Sequence, residues 1–134
     1  MTVDSIMTRE VVTVQGDTAL TDLRALLHDR GFRHLLVVDN GDLVGVISDR
    51  DVLQALSPFL DTISEERRDV QTLARPASEI MRHDPVTITS DTGIEEASQL
   101  VLDHNISSLP VVEDGEIIGI VTTKDLLRHY TEGT

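Results

Sequence analysis

The chain of 134 residues contains no cysteine and no tryptophan, and its aromatic residues are Phe32, Phe59 and Tyr130. Without cysteine there is no disulfide framework, no thiol nucleophile and no thiolate metal site. So few rings leave no stacking platform for single-stranded nucleic acid. No apolar run approaches the roughly 20 residues that cross a bilayer, and the N-terminus lacks the basic-then-apolar order of a secretory signal. A cytoplasmic protein with no membrane partner is therefore expected. Positive charge is also scarce, with 11 Lys+Arg against 24 Asp+Glu and a net charge of -13. Nucleic acid and anionic membranes both require a basic face, so neither is expected as a partner. An anionic ligand must find a local exception. Lys124 is the single lysine, and this acid-rich, lysine-poor surface of halophilic type fits a salty cytoplasm, where screening weakens self-repulsion.

What the chain does have is an internal echo. Displaced by 74 residues it superimposes on itself without a gap: Ile6-Met7 falls on Ile80-Met81, Gly41 on Gly115, Gly45 on Gly119 and Asp51 on Asp125. A period this long, present twice, argues for a closed pseudo-symmetric pair rather than a solenoid. The repeats are assigned to residues 1–56 and 77–134, with a linker over 57–76. Each alone would be marginal, whereas the whole chain is long enough for a sizeable core. Function is expected where the copies meet.

Each copy reads as strand, helix, strand, strand, helix, an α/β unit of the α+β type. Val11 to Val14 and Val86 to Ile88 are short β-rich runs. Asp17 or Thr18 is placed to cap the first helix, whose Leu20, Leu23 and Leu27 recur at helical spacing, and Thr92-Gly93-Ile94-Glu95 has the form of a capping box. Gly31 and Asn105 are expected to end these helices in the left-handed conformation. Leu35 to Val38 and Leu43 to Ile47 flank Asn40-Gly41, while Leu109 to Val112 and Ile117 to Val121 flank Asp114-Gly115; these are hairpins with type I′ turns. In the linker, Glu65-Glu66-Arg67-Arg68 reads as the solvated face of a connecting helix.

The pattern with chemical content is Gly45-Val-Ile-Ser48-Asp-Arg-Asp51 and its twin Gly119-Ile-Val-Thr122-Thr-Lys-Asp125. One reading is structural: the hydroxyl caps the following helix and the aspartate completes the box. The other is a nucleotide site, in which the hydroxyl, a nearby cation and a close-approach glycine hold phosphate while the carboxylate accepts from two ribose hydroxyls. Arg33-His34 and Ile106-Ser107-Ser108, just ahead of each hairpin, could face the same place.

Taken together, the twin Ile-Met pairs, the element order, Leu109-Pro110-Val111-Val112 and the doubled Gly-x-x-Ser/Thr-x-x-Asp closely resemble a tandem pair of cystathionine β-synthase (CBS) domains, the Bateman module. The resemblance spans nearly the whole chain. It implies two β-α-β-β-α repeats packed through their sheets with pseudo-two-fold symmetry. It also implies clefts for AMP, ADP, ATP or S-adenosylmethionine as regulatory ligands, with no required cofactor. By position, Asp51 and Asp125 would hold ribose hydroxyls, Ser48 and Thr122 would sit near ribose or phosphate, and Arg50 and Lys124 would reach phosphate. Arg33, His34, Ser107 and Ser108 would line the phosphate side. Adenine would lie near Thr13-Val14 or Thr87-Ile88, walled by Val46 and Ile120. Two departures stand out: Leu36 occupies the place of Pro110, so the two clefts should differ in shape, and Arg33, His34 and Arg50 oppose Ser107, Ser108 and Lys124. If each site draws mostly on its own repeat, the first should favour phosphorylated ligands.

Catalysis is not expected, because nothing pairs a nucleophile with an activating base. The histidines at 28, 34, 83, 104 and 129 show no metal-ligand spacing. Two functions remain. One is a stand-alone adenosine-ligand sensor, homodimeric through its helices and signalling to a separate effector protein. The other is a structural dimerisation module with vestigial clefts.

Overall fold

The fold is that of a computed structural model, described over residues 1–132. The chain divides into two compact units, and their boundaries cut across the sequence repeats: Val12–Asp84 forms one, and Met1–Val11 joins the residues from Pro85 onward to form the other. The segment that opens each repeat has thus been exchanged.

In the 12–84 unit, β1 (Thr13–Gln15), α1 (Leu20–Asp29), β2 (His34–Asp39), β3 (Asp42–Ser48) and α2 (Asp49–Ala55) follow the expected order. After α3 (Arg67–Gln71) in the linker come α4 (Ala77–Ile80) and β4 (Arg82–His83). The sheet runs β1-β2-β3-β4, with β1 parallel to β2 and the other pairs antiparallel. Asn40 and Gly41 both take positive φ, 51° and 84°, as a type I′ turn requires. One face of the sheet carries Leu35, Val37 and Ile47, which pack with Leu20 and Leu23 of α1, Val52 of α2 and Ala77 of α4. Leu36 and Val46, which alternate with them along the strands, are buried as well, so both faces of the sheet are covered.

The other unit repeats this plan with α5 (Ile94–His104), β5 (Ser108–Glu113), β6 (Glu116–Thr122) and α6 (Thr123–Glu132). Its core gathers Val3 and Met7 with Ile94, Ala97, Leu109 and Val121. Flanking the β5–β6 hairpin are single bridges, Ile88 to Val111 and Thr8 to Ile120. The expected strand over 86–88 is thus reduced to one bridge. The cause lies at the departure noted above: Leu36 N donates to Val12 O at 3.0 Å, whereas Pro110 has no N–H to offer Val86.

The caps also differ from expectation. Thr18 and Thr92 turn their hydroxyls back to accept from Gln15 N (3.1 Å) and Thr89 N (3.2 Å). The helices begin after Ala19 and Gly93 with no side-chain cap. The starts of these helices are instead met by backbone groups in, or just ahead of, the exchanged segments. Leu20 N donates to Arg75 O at 2.8 Å and Ile94 N to Met1 O at 3.3 Å. Ala77 N donates to Thr18 O at 2.8 Å and Val3 N to Thr92 O at 2.9 Å. These four bonds form two pairs, each related by the 74-residue shift. At the other ends, Gly31 (φ 71°) and Asn105 (φ 52°) are left-handed as expected.

In the linker, Glu65 to Arg68 are exposed, and Asp69 is buried. Asp69 accepts from Ser57 Oγ at 2.6 Å and Glu66 N at 2.7 Å. The Ser57 hydroxyl, then the Glu66 amide, hold its carboxyl below the ordinary carboxylate value of 3.8. A depressed folded-state pKa means a stabilisation fully present above 3.8 and lost as pH falls through the lower folded value. Asp69→Asn should therefore be less stable than the parent near neutrality, with the gap closing on acidification; urea midpoints across the acid range measure it. A gap independent of pH would refute this role.

Candidate ligand-binding site

Each unit builds one candidate site at the end of its sheet where β3 meets α2, or β6 meets α6. In the 12–84 unit His34 pairs with Ser48 across the hairpin, and Asp49 N donates to Arg33 O at 3.0 Å. This brings Arg33, His34, Ser48, Arg50 and Asp51 to one sheet end. Val14 is buried opposite Val37, Thr13 is exposed opposite Leu36, and Val46 is buried opposite Arg82 of β4.

The capping reading of the motif is correct as local structure. Asp51 N donates to Ser48 Oγ at 3.2 Å, and Asp51 Oδ2 accepts from Ser48 N at 2.8 Å and Ser48 Oγ at 2.9 Å. Yet a carboxylate offers about four lone-pair sites. The cap uses Oδ2, while Oδ1 faces Arg82 Nε at 3.9 Å. Capping and ligand binding are thus compatible uses of one side chain.

In the other unit Thr122 N donates to Asp125 Oδ2 at 3.0 Å, and Asp125 N to Thr122 Oγ1 at 3.2 Å. Asp125 is buried, and the Thr8 hydroxyl donates to its two oxygens at 3.3 and 3.2 Å. Ser108 is buried opposite Thr122, and Ser107 O accepts from Thr123 N at 2.9 Å. Pro110 is fully buried opposite Ile120. Ile88 bridges to Val111, Thr87 beside it is exposed, and Lys124 is exposed on α6. A groove of about 370 Å³ runs beside Asp125, lined also by Ser5, Ile6, Arg128, His129 and Glu132.

Two residues at these sites escaped the reading of the sequence, Thr8 and Arg82. They are equivalent under the 74-residue shift, each directly after an Ile-Met pair. Each reaches the carboxylate of the opposite repeat: Thr8 bonds Asp125 and Arg82 faces Asp51. Hence neither site draws on its own repeat alone. The adjoining glycines make this approach possible. Met81 lies where a Cβ on Gly45 would be, and Met7 with the Thr8 carbonyl where one on Gly119 would be. Among the described residues no cluster of three or more His, Asp or Glu side chains is placed to hold a metal, and no helix is long and apolar enough to cross a membrane.

The chain is similar to known proteins over nearly its whole length. The CBS domain matches twice, at residues 3–58 and 77–132. A CBS domain-containing protein of Dictyostelium discoideum is 38% identical over 128 residues, covering 93% of this chain and 88% of its own. The CBS domain pair of protein MJ0100, solved in complex with 5′-methylthioadenosine and S-adenosyl-L-methionine, superimposes with a TM-score of 0.82 at 25% identity, covering 100% of this chain and 98% of the other. CBSX2, solved in complex with AMP, gives 0.76 at 28% identity, covering 98% and 96%. Three relatives from Methanocaldococcus jannaschii are longer, and the chain spans 46%, 32% and 45% of them.

Proposed function

This chain belongs to the CBS domain family as a tandem pair, and from that premise we propose that it is a cytoplasmic, non-catalytic regulatory protein that binds adenosine ligands and signals to a separate effector. The observation that carries the proposal is the pair Asp51 and Asp125. Each is held rigidly by its own cap, little exposed, and still has carboxylate lone pairs to offer a ribose diol. The relatives solved with 5′-methylthioadenosine and S-adenosyl-L-methionine, and with AMP, support adenosine as the common element. Regulation then follows if the ligand binds one conformation of the pair better than another.

Thermal unfolding in near-molar potassium chloride, with AMP, ATP and S-adenosylmethionine in turn, tests the proposal. A ligand at about 100 times its Kd stabilises by about 2.7 kcal/mol, an upward shift of several degrees for a domain of this size. Asp51→Ala combined with Asp125→Ala should abolish the shift. A shift that survives both changes would place the ligand elsewhere.

A dimerisation module with vestigial clefts is the second reading, favoured by apolar side chains on helix surfaces. Leu53 is 70% and Leu127 60% exposed, and Leu27, Val52, Leu53 and Leu56 line a depression of about 350 Å³ in the 12–84 unit. Homodimerisation through these helices belongs to both readings. Light scattering that shows a dimer, together with no shift for any of the three ligands, would select the second.

A further inference from the structure

Three positions flank each site carboxylate in register, and their charges differ. Around Asp51 stand Arg33 before β2, Arg50 on α2 and Arg82 on β4; around Asp125 the equivalents are Ser107, Lys124 and Thr8. The contrast at the third position is the sharpest, because it comes from the exchanged segment and touches the carboxylate itself. Thr8 commits its hydroxyl to Asp125 and brings no charge. Arg82 Nε stands 3.9 Å from Asp51 Oδ1, and the Arg82 side chain is 58% exposed against 11% for Asp51.

We propose that the two sites are matched to ligands of different charge: the Asp51 site takes a 5′-phosphorylated adenosine, with Arg82 on the phosphate, and the Asp125 site takes an adenosine ligand without phosphate. This rests on the adenosine-binding reading and adds which site takes which class. A ribose seated by its diol on Asp51 carries its 5′ group one sugar ring away, within the sweep of a long side chain anchored on the neighbouring strand. A guanidinium presents a planar fork that suits phosphate oxygens. In a chain of net charge -13 a phosphate needs a local excess of cations, and three arginines against Asp49 and Asp51 supply one. At the other site Lys124 has no arginine beside it at the equivalent positions, and the groove next to Asp125 sets Arg128 against Glu132.

Calorimetric titration of the full chain with AMP and with adenosine tests this, using Arg82→Thr, Thr8→Arg, Asp51→Ala and Asp125→Ala. Arg82 is mostly exposed, so its replacement should leave the fold intact, as circular dichroism will verify. Arg82→Thr should weaken AMP by about tenfold or more, the usual worth of a charged hydrogen bond, and leave adenosine within about twofold. Thr8→Arg should raise AMP affinity at the second site. Asp51→Ala should remove the AMP-preferring class and Asp125→Ala the class indifferent to phosphate. An unchanged AMP-to-adenosine ratio in Arg82→Thr, with one class still lost in Asp51→Ala, overturns this inference alone. A parent protein that binds neither overturns the adenosine reading and this inference with it.

Discussion

A fragment spanning residues 12–84 should fold on its own, whereas one spanning 1–58, a complete family match, should not. The first retains every member of its core, including Ala77 at 0% exposure with Ile80 and Met81 packed around it. It also keeps the backbone bonds from Ala77 N to Thr18 O (2.8 Å), Ser78 N to Gly16 O (2.9 Å) and Leu20 N to Arg75 O (2.8 Å). The 1–58 fragment loses all of these, and β4 with them. At about 1 kcal/mol net for each of these hydrogen bonds, with the apolar burial of Ala77, Ile80 and Met81 lost in addition, the deficit is several kcal/mol. A whole domain is stable by only about 5–15 kcal/mol, and small ones sit at the low end. The 1–58 fragment would further expose Val3 and Met7, because every core partner they have apart from each other and Ile6 lies beyond residue 85. Cooperative urea unfolding and dispersed amide resonances for 12–84, with neither for 1–58, is the expected outcome. Equal folding of the two fragments would mean that the exchanged segments contribute little.

The same exchange explains what could and could not be read from the sequence. The hairpins were legible because a type I′ turn demands positive φ at two adjacent residues, and Asn40-Gly41 and Asp114-Gly115 tolerate it locally. Ser48 and Asp51 were legible for a similar reason, since a capping box closes within four residues. The caps assigned to Asp17 or Thr18 and to Thr92 failed because the helix amides find carbonyls of Arg75 and Met1, far away in sequence, and no local window contains them. Pro110 is visible in the sequence as a departure, but its consequence, one bridge where the other copy has a strand, follows from the tertiary bond of Leu36 N to Val12 O. Thr8 and Arg82 lie far from these motifs in sequence, and nothing local marks them as partners of Asp125 and Asp51. Only tertiary pairing, Thr8 with Ile120 and Arg82 with Val46, brings them to the carboxylates.

Adding one methyl group at either close-approach glycine should test that pairing, with unequal results. A Cβ on Gly119 would lie 2.9 Å from the Thr8 carbonyl oxygen and 3.1 Å from Met7 Sδ. The carbonyl cannot retreat, because it accepts from Ile120 N at 2.8 Å while Thr8 N donates to Ile120 O at 2.8 Å. Gly119→Ala must therefore break that reciprocal pair or bend the strand, a cost of about 1–3 kcal/mol for overpacking plus about 1 kcal/mol for each bond lost. It should also pull Thr8 from Asp125. At Gly45 the conflict is with the Met81 side chain, whose Sδ and Cγ, the latter at 2.7 Å, belong to a flexible thioether that can swing away, leaving Cβ at 3.0 Å. Gly45→Ala should thus cost less, and most of its cost should vanish in the background of Met81→Ala, whereas Met7→Ala should leave the cost of Gly119→Ala almost unchanged. Chemical denaturation of the two double-mutant cycles reads the difference as a coupling energy: large between 45 and 81, near zero between 119 and 7. Comparable coupling in both cycles would show that side-chain crowding, not the exchanged backbone, sets the approach of these segments.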